Sequence, residues 1–229
     1  MYNNIINKRI NYYYFYINYN LKLLKIIINL KIFDSTKMGN NNILNIKKKE
    51  VIKQEVESNF QDEYKIVFVG ESGIGTKTSL ISRLVKLKSD KYNLLATDIS
   101  FTKIKINLEN NKEVIFHLWD TIGLETNRPL VKIYLQDSDC IVIGYDITNK
   151  KSFEEVLKYW YPKSKEFDTC KLIYLIGNKI DLNAKRIIKK EVANEFAKLN
   201  KLRFFEISCM TDEGIKDFFD DLVYNLIQK

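Results

Sequence analysis

The chain is short of several things, and each shortage excludes a class of protein. Among 229 residues there are three cysteines (Cys140, Cys170 and Cys209), one histidine and two prolines. An odd cysteine count with no CxxC spacing argues against a disulfide scaffold and a zinc site, and suits a reducing cytosol. The lone His117 lies in a strand-like pattern and reads as a strand residue. The longest uncharged stretch, Ile10 to Leu21, contains three asparagines and falls well short of the ~20 apolar residues a spanning helix needs. No small-residue cleavage site follows it, so a signal peptide fits poorly. Acidic residues are also scarce, and the net charge is +8. That excess is local. Residues 1–60 hold ten Lys/Arg against four Asp/Glu and carry +6 of it. The near-neutral remainder gives no reason to expect nucleic-acid binding.

What is present divides in two. Residues 1–60 are rich in Asn, Ile, Lys and Tyr, with Tyr12-Tyr13-Tyr14-Phe15-Tyr16 as a run. This extension has three open readings: a low-complexity, disordered tail, an interfacial segment whose lysines meet anionic lipid, or translated upstream sequence with Met38 as the true start. In the last case Gly39 would be exposed for lipidation, though Ile43 stands where myristoylation wants Ser or Thr.

Residues 61–229 alternate strand-like and helix-like segments. Six strands are predicted at Tyr64–Val69, Thr102–Leu108, Glu113–Trp119, Cys140–Tyr145, Leu172–Gly177 and Arg203–Ile207. Helices follow the first strand (Leu80, Ile81, Leu84 and Val85 on one face), span Lys189–Asn200, and close the chain (Ile215, Phe218, Phe219, Leu222 and Leu226 on one face). Ser152-Phe153-Glu154-Glu155 reads as a capping box, and Pro162 as a kink or stop. Such alternation predicts a mostly parallel sheet covered on both faces, with a ligand at the strand ends.

Four motifs fall on those ends, in order. Gly70-Glu71-Ser72-Gly73-Ile74-Gly75-Thr76-Lys77-Thr78-Ser79 follows a strand and opens a helix, the context in which backbone N–H groups and a helix N-terminus hold phosphate. The usual spacing is G-x-x-x-x-G-K-[ST], and here Thr76 intervenes. Two registers are open: Lys77 and Thr78 keep the phosphate and magnesium roles while Thr76 bulges, or Thr76 takes the lysine position. Asp120, in Trp119-Asp120-Thr121-Ile122-Gly123, is a magnesium candidate. In Asn178-Lys179-Ile180-Asp181 the Asp181 carboxylate suits the N1–H and 2-amino donors of guanine. Asn178 suits the O6/N7 side, and the Lys179 stem the base plane with its charge solvated. Ser208-Cys209-Met210 would offer backbone N–H groups to O6.

Over residues 62–229 these motifs resemble the Ras-superfamily small GTPases, the Rab branch most closely, through Trp119-Asp120-Thr121, Tyr145-Asp146-Ile147-Thr148-Asn149 and Phe204-Phe205-Glu206-Ile207-Ser208. The resemblance implies a three-layer P-loop G domain with a six-stranded, mostly parallel sheet, binding GTP/GDP with Mg2+. It further implies GTP hydrolysis to GDP and phosphate, and effectors and regulators of membrane traffic as partners of a monomer. Cytoplasmic residence with peripheral contact on endomembranes follows from the same likeness.

Departures bear on turnover. Leu124 stands where the family has the Gln that orients the attacking water. Thr97-Asp98-Ile99-Ser100-Phe101 is shorter than the family's first switch and lacks its Gly, leaving Thr97 as the second magnesium candidate. Met210 replaces a Lys. No Cys follows Cys209, so C-terminal prenylation is not expected and membrane contact would fall to the N-terminus. Three functions compete: a slow Rab-like GTPase, a pseudo-GTPase scaffold held in one state, and a domain that has lost nucleotide.

Overall fold

The computed structural model describes residues 62–87, 92–98 (backbone only), 101–108, 112–121, 128, 131–167, 170 and 172–228. The extension 1–60 lies outside the described residues, as do Gly123 and Leu124.

All six predicted strands are present, and a seventh joins them at an edge. In chain order they are β1 (Asp62–Val69), β2 (Tyr92–Asp98), β3 (Phe101–Asn107), β4 (Glu113–Asp120), β5 (Cys140–Asp146), β6 (Leu172–Asn178) and β7 (Arg203–Ile207). The spatial order is β2-β3-β4-β1-β5-β6-β7. β1 pairs in parallel with β4 and β5, and β6 with β5 and β7, whereas β2–β3 and β3–β4 are antiparallel. The added strand is β2. It has no clear alternation, and its register against β3 shifts between Leu94 and Ala96. Pairing with β3 makes it a strand, and it carries Thr97 opposite Thr102.

Periodicity accounts for the rest. β5 is buried at every position and β6 at all but the first, as a parallel strand covered on both faces requires. β3 alternates, burying Thr102, Ile104 and Ile106 while Lys103 and Lys105 stay half-exposed. The helices are α1 (Thr78–Lys86), α2 (Val131–Leu135), α3 (Lys150–Glu155), α4 (Tyr161–Lys165), α5 (Lys190–Leu199) and α6 (Ile215–Ile227). α1 buries Leu80, Ile81 and Leu84, and α6 buries Ile215, Phe218, Phe219, Leu222, Val223 and Leu226. Phe219 meets Phe116 edge-on at 6.3 Å and Phe218 meets Tyr174 at 5.3 Å. Each such ring contributes about 1.5–3 kcal/mol by leaving water.

Two local expectations are corrected. The helix expected to be capped by Ser152 begins three residues earlier, because Asn149 caps it: its side-chain oxygen accepts from the Ser152 N–H at 3.2 Å. Ser152 is buried inside the first turn, where its hydroxyl donates to the Asn149 carbonyl at 2.7 Å. Pro162, expected to kink or shorten the helix, does not end it but follows an interruption in its regular winding. A π turn, Val156–Trp160, joins α3 to α4, and the Tyr161 N–H reaches back five residues to the Val156 carbonyl. The wider turn accommodates a ring that cannot donate to the ladder.

Lys65 on β1 gives a pH-dependent prediction. Burial holds its ammonium down to about 8, opposed by Asp137 and Asp139, and its Nζ donates to the Gln136 carbonyl at 2.7 Å. The unfolded chain therefore binds more protons between about pH 8 and 10.5, and stability from this group rises with pH across that window. Lys65→Met should melt higher than wild type at pH 7, with the gap closing toward pH 10. A gap independent of pH in thermal melts would refute it.

Candidate functional site

The site forms where β1, β4, β5, β6 and β7 end. β1 runs into the loop 70–77, whose backbone only glycine accommodates at two places. Gly70 has φ +143°, and a Cβ there would lie 2.7 Å from the Gly144 carbonyl. Gly75 has φ +78°, and a Cβ there would come within 2.5 Å of Asn178 Nδ2. Ser72 and Gly73 are exposed, while Ile74 is buried. Glu71 accepts from the Trp160 indole at 3.4 Å, which ties the loop to the π turn.

The three residues after Gly75 behave differently from one another. Thr76 is fully buried. Lys77 is 7% exposed, and its Nζ donates to the Gly70 carbonyl at 2.8 Å, across the mouth of the loop. Thr78 begins α1, and its hydroxyl donates to Asp120 Oδ2 at 2.5 Å. Ser79 is exposed one residue further on. The adjoining Thr121 hydroxyl donates to the Phe68 carbonyl at 2.5 Å, fixing the end of β4 against β1. Thr78 and Asp120 thus put a hydroxyl and a carboxylate together beside the N-terminus of α1. That is an oxygen donor set of the kind magnesium takes. Thr97, the other candidate, belongs to edge strand β2 rather than to a loop.

The second half of the site is a three-way junction. Asn178 is 2% exposed; its Nδ2 donates to the Ile74 carbonyl at 2.8 Å, and its Oδ1 accepts from the Cys209 N–H at 3.0 Å. The amide therefore holds two loops together, and the second N–H of its Nδ2 is left to face the O6/N7 side of a base. Lys179 sits at φ +71°, and its half-exposed side chain pairs its ammonium with Asp146 at 2.6 Å. Asp146 is itself held by the Thr148 N–H and hydroxyl at 2.8 and 2.7 Å.

Asp181 is exposed, and its Oδ1 receives the Ser208 hydroxyl at 2.5 Å. Ser208 accepts in turn from the Met210 and Thr211 N–H groups at 3.1 and 3.0 Å. Its lone pairs are then used, and its single proton is committed to Asp181. Cys209 carries its Sγ 3.4 Å from the Gly75 carbonyl. Burial, foremost, pushes its thiol up to about 12, so it remains a thiol at neutral pH. Arg83 Nε donates to the Cys209 carbonyl at 2.8 Å, and Met210 is 76% exposed.

Three contributors escape sequence reasoning. Asp146 anchors Lys179, yet in the chain it is only part of a family-like string. Gly144 lies under the loop with no local signal to mark it. The rings of Phe101, Trp119 and Tyr134 form a line, at 5.0 and 6.1 Å, that spans β3, β4 and α2. Only their convergence in space reveals that group.

A glycine-rich loop at a helix N-terminus, a hydroxyl–carboxylate pair beside it and a serine-held carboxylate just past β6 define a P-loop nucleotide-binding domain. The residues present fit a guanine nucleotide with Mg2+. The oxygen pair suits the metal, and the Ser208-held carboxylate suits a base edge with two donors. A Ras family profile matches residues 65–228. The chain is 32% identical over 173 residues to Ras-related protein Rab-2B of Dictyostelium discoideum, covering 75% of this chain and 84% of that protein. It is 34% identical over 160 residues to GTP-binding protein YPT1 of Saccharomyces cerevisiae, covering 68% and 75%. Ras-related protein Rab-1 of Theileria parva matches at 31% over 170 residues, covering 72% and 75%. The chain belongs to the Ras family and is Rab-like within it, a family whose members bind GTP and GDP with Mg2+.

Proposed function

We propose that this chain is a Rab-like guanine-nucleotide switch of vesicle traffic in which GTP hydrolysis is slow. The observation that carries the reading is Asp181, whose carboxylate is oriented by a serine with no other acceptor to satisfy. Guanine offers that carboxylate two adjacent donors, and adenine offers no such pair.

In this reading the amides of residues 70–77 bind the phosphates, with the positive end of α1 behind them. Lys77 exchanges the Gly70 carbonyl for a phosphate oxygen. Thr78 and Asp120 would hold Mg2+, directly or through water, and the ion, when bound, neutralises phosphate charge. Thr97 would add a contact from β2. Asn178 keeps the phosphate loop and the 208–210 turn in register, and Lys179 is braced on Asp146. The Cys209 and Met210 N–H groups are held by Asn178 Oδ1 and the Ser208 hydroxyl, and one of them would exchange that partner for O6 of the base.

The weak point is the water. A leucine at 124 has neither donor nor acceptor, so it cannot align an attacking water. Loss of that group harms hydrolysis and leaves base recognition intact. The same residue favours a second reading, a pseudo-GTPase scaffold that binds partners in one fixed state.

Effectors and regulators of membrane traffic are the partners in either case. We further place the domain boundary near residue 60 and infer a monomeric, cytoplasmic protein. The basic extension then supplies peripheral contact with endomembranes. Among the described residues no helix is long and apolar enough to cross a membrane.

The test is nucleotide content and affinity of the full chain, followed by single-turnover hydrolysis. GDP and GTP should bind at least a hundredfold more tightly than ATP. Leu124→Gln should raise turnover at least tenfold without changing GDP affinity. Equal binding of ATP and GTP would remove the guanine reading. Unchanged turnover in the variant would place the fault elsewhere and favour the scaffold.

A further inference from the structure

We infer that Thr76 and Gly144 are a matched pair of positioning residues that admits an extra residue to the phosphate loop without displacing Lys77 and Thr78. The inference rests on the nucleotide reading above and explains how the lengthened motif keeps its register.

One additional residue adds up to ~3.5 Å of chain between β1 and α1, and that length must leave the loop's path. The structure shows where it goes. The first bond of α1 closes over five residues, Leu80 N–H to the Gly75 carbonyl at 3.2 Å, before four-residue spacing resumes with Ile81 N–H to Lys77 at 3.0 Å. The extra residue is therefore contained in one wide turn. Within it Thr76 turns inward and is fully buried on β5, at Gly144. Any side chain at 144 would overlap Thr76 Oγ1 and Cβ and come within 2.9 Å of Cγ2. β5 is a central strand, and a glycine there is otherwise unfavourable; close approach of another segment is the usual reason for one.

Burial has a second signature. Thr76 Oγ1 has no hydrogen-bond partner among the described residues. The hydroxyl thus gains nothing from the position, and it is the shape of the residue that the strand accommodates. With Thr76 turned inward, Lys77 spans the loop to Gly70 and Thr78 meets Asp120. Of the two registers open in the sequence, this geometry favours the one in which Thr76 bulges.

The test compares the full-length wild type, Gly144→Ala, deletion of Thr76, and both changes together. Each is titrated with GDP and with GMP and melted without nucleotide. The ratio of GDP to GMP affinity reports the hold on the outer phosphate, which general destabilisation would not single out. Gly144→Ala should lower GDP affinity at least tenfold, reduce that ratio and lower the melting temperature. Deleting Thr76 in that background should return GDP affinity to within about threefold of wild type and restore the melting temperature.

A wild-type ratio in Gly144→Ala, or a double variant that recovers neither quantity, would overturn the pairing. If Gly144→Ala does not fold, the double variant decides alone: a folded protein with the wild-type ratio supports the inference, and an unfolded one refutes it. A wild type that binds no GDP overturns the nucleotide reading instead. The melting temperatures then still judge the pair, with rescue supporting it and no rescue refuting it.

Discussion

Asp181→Asn should lose guanine nucleotide by about a thousandfold and prefer xanthine nucleotide. The argument is one of hydrogen-bond polarity. Ser208 accepts from two backbone N–H groups and so has only a proton to offer residue 181. An asparagine there must turn its carbonyl oxygen to Ser208, which leaves its NH2 where the second carboxylate oxygen stood. That NH2 meets the 2-amino group of guanine donor to donor. Two charge-assisted hydrogen bonds are lost at ~1.5–3 kcal/mol each, and each 1.4 kcal/mol is about tenfold. Xanthine carries a carbonyl at that carbon and accepts the new donor. Competitive titration of GDP and XDP against both proteins measures the exchange. GDP affinity within tenfold of wild type in the variant would mean that Asp181 does not read the base. Ser208→Ala should weaken GDP less and leave the preference among bases unchanged, since it frees the carboxylate to rotate and deprives the Met210 and Thr211 N–H groups of an acceptor without changing what Asp181 accepts.

How much of this was legible in the chain depends on range. The apolar runs at 140–145 and 172–177 announce buried parallel strands because their burial is a property of each residue. The alternation at Thr102, Ile104 and Ile106 announces a half-exposed strand for the same reason. Strand β2 could not be read this way, since Tyr92–Asp98 is extended by its neighbour β3 rather than by its own pattern. At Ser152 the capping-box pattern is genuine but misplaced by the stronger claim of Asn149 on the same N–H.

The site divides along the same line. Gly70, Gly75, Lys77, Asp120 and Asp181 are named by local motifs. Asn178 and Lys179 are named as well, but the bonds they make within the protein are not, because Ile74, Cys209 and Asp146 enter from other segments. The register of Lys77 is the extreme case. It turns on the absence of a side chain at Gly144, which no motif around residue 76 contains.

Asn178→Ala should damage fold and binding together. The buried amide satisfies a carbonyl of the phosphate loop and an N–H of the 208–210 turn. Truncation deprives both backbone groups of that partner, at ~1–3 kcal/mol each. A loss of about 3 kcal/mol corresponds to roughly 6–12 °C in melting temperature for a domain of this size. GDP affinity should fall at least a hundredfold, because the loops that carry phosphate and base contacts lose their common reference. Asn178→Asp separates the two bonds. Its carboxylate still accepts from Cys209 but faces the Ile74 carbonyl as charge against lone pair, which raises its pKa in the folded state. Stability from a group so raised is present at low pH and lost as pH rises through the folded value. The Asp variant should therefore approach wild type as pH falls toward 5 and depart from it at 8. An Asp variant that melts with the wild type at pH 8, or an Ala variant within 2 °C of it, would show that the junction is held elsewhere.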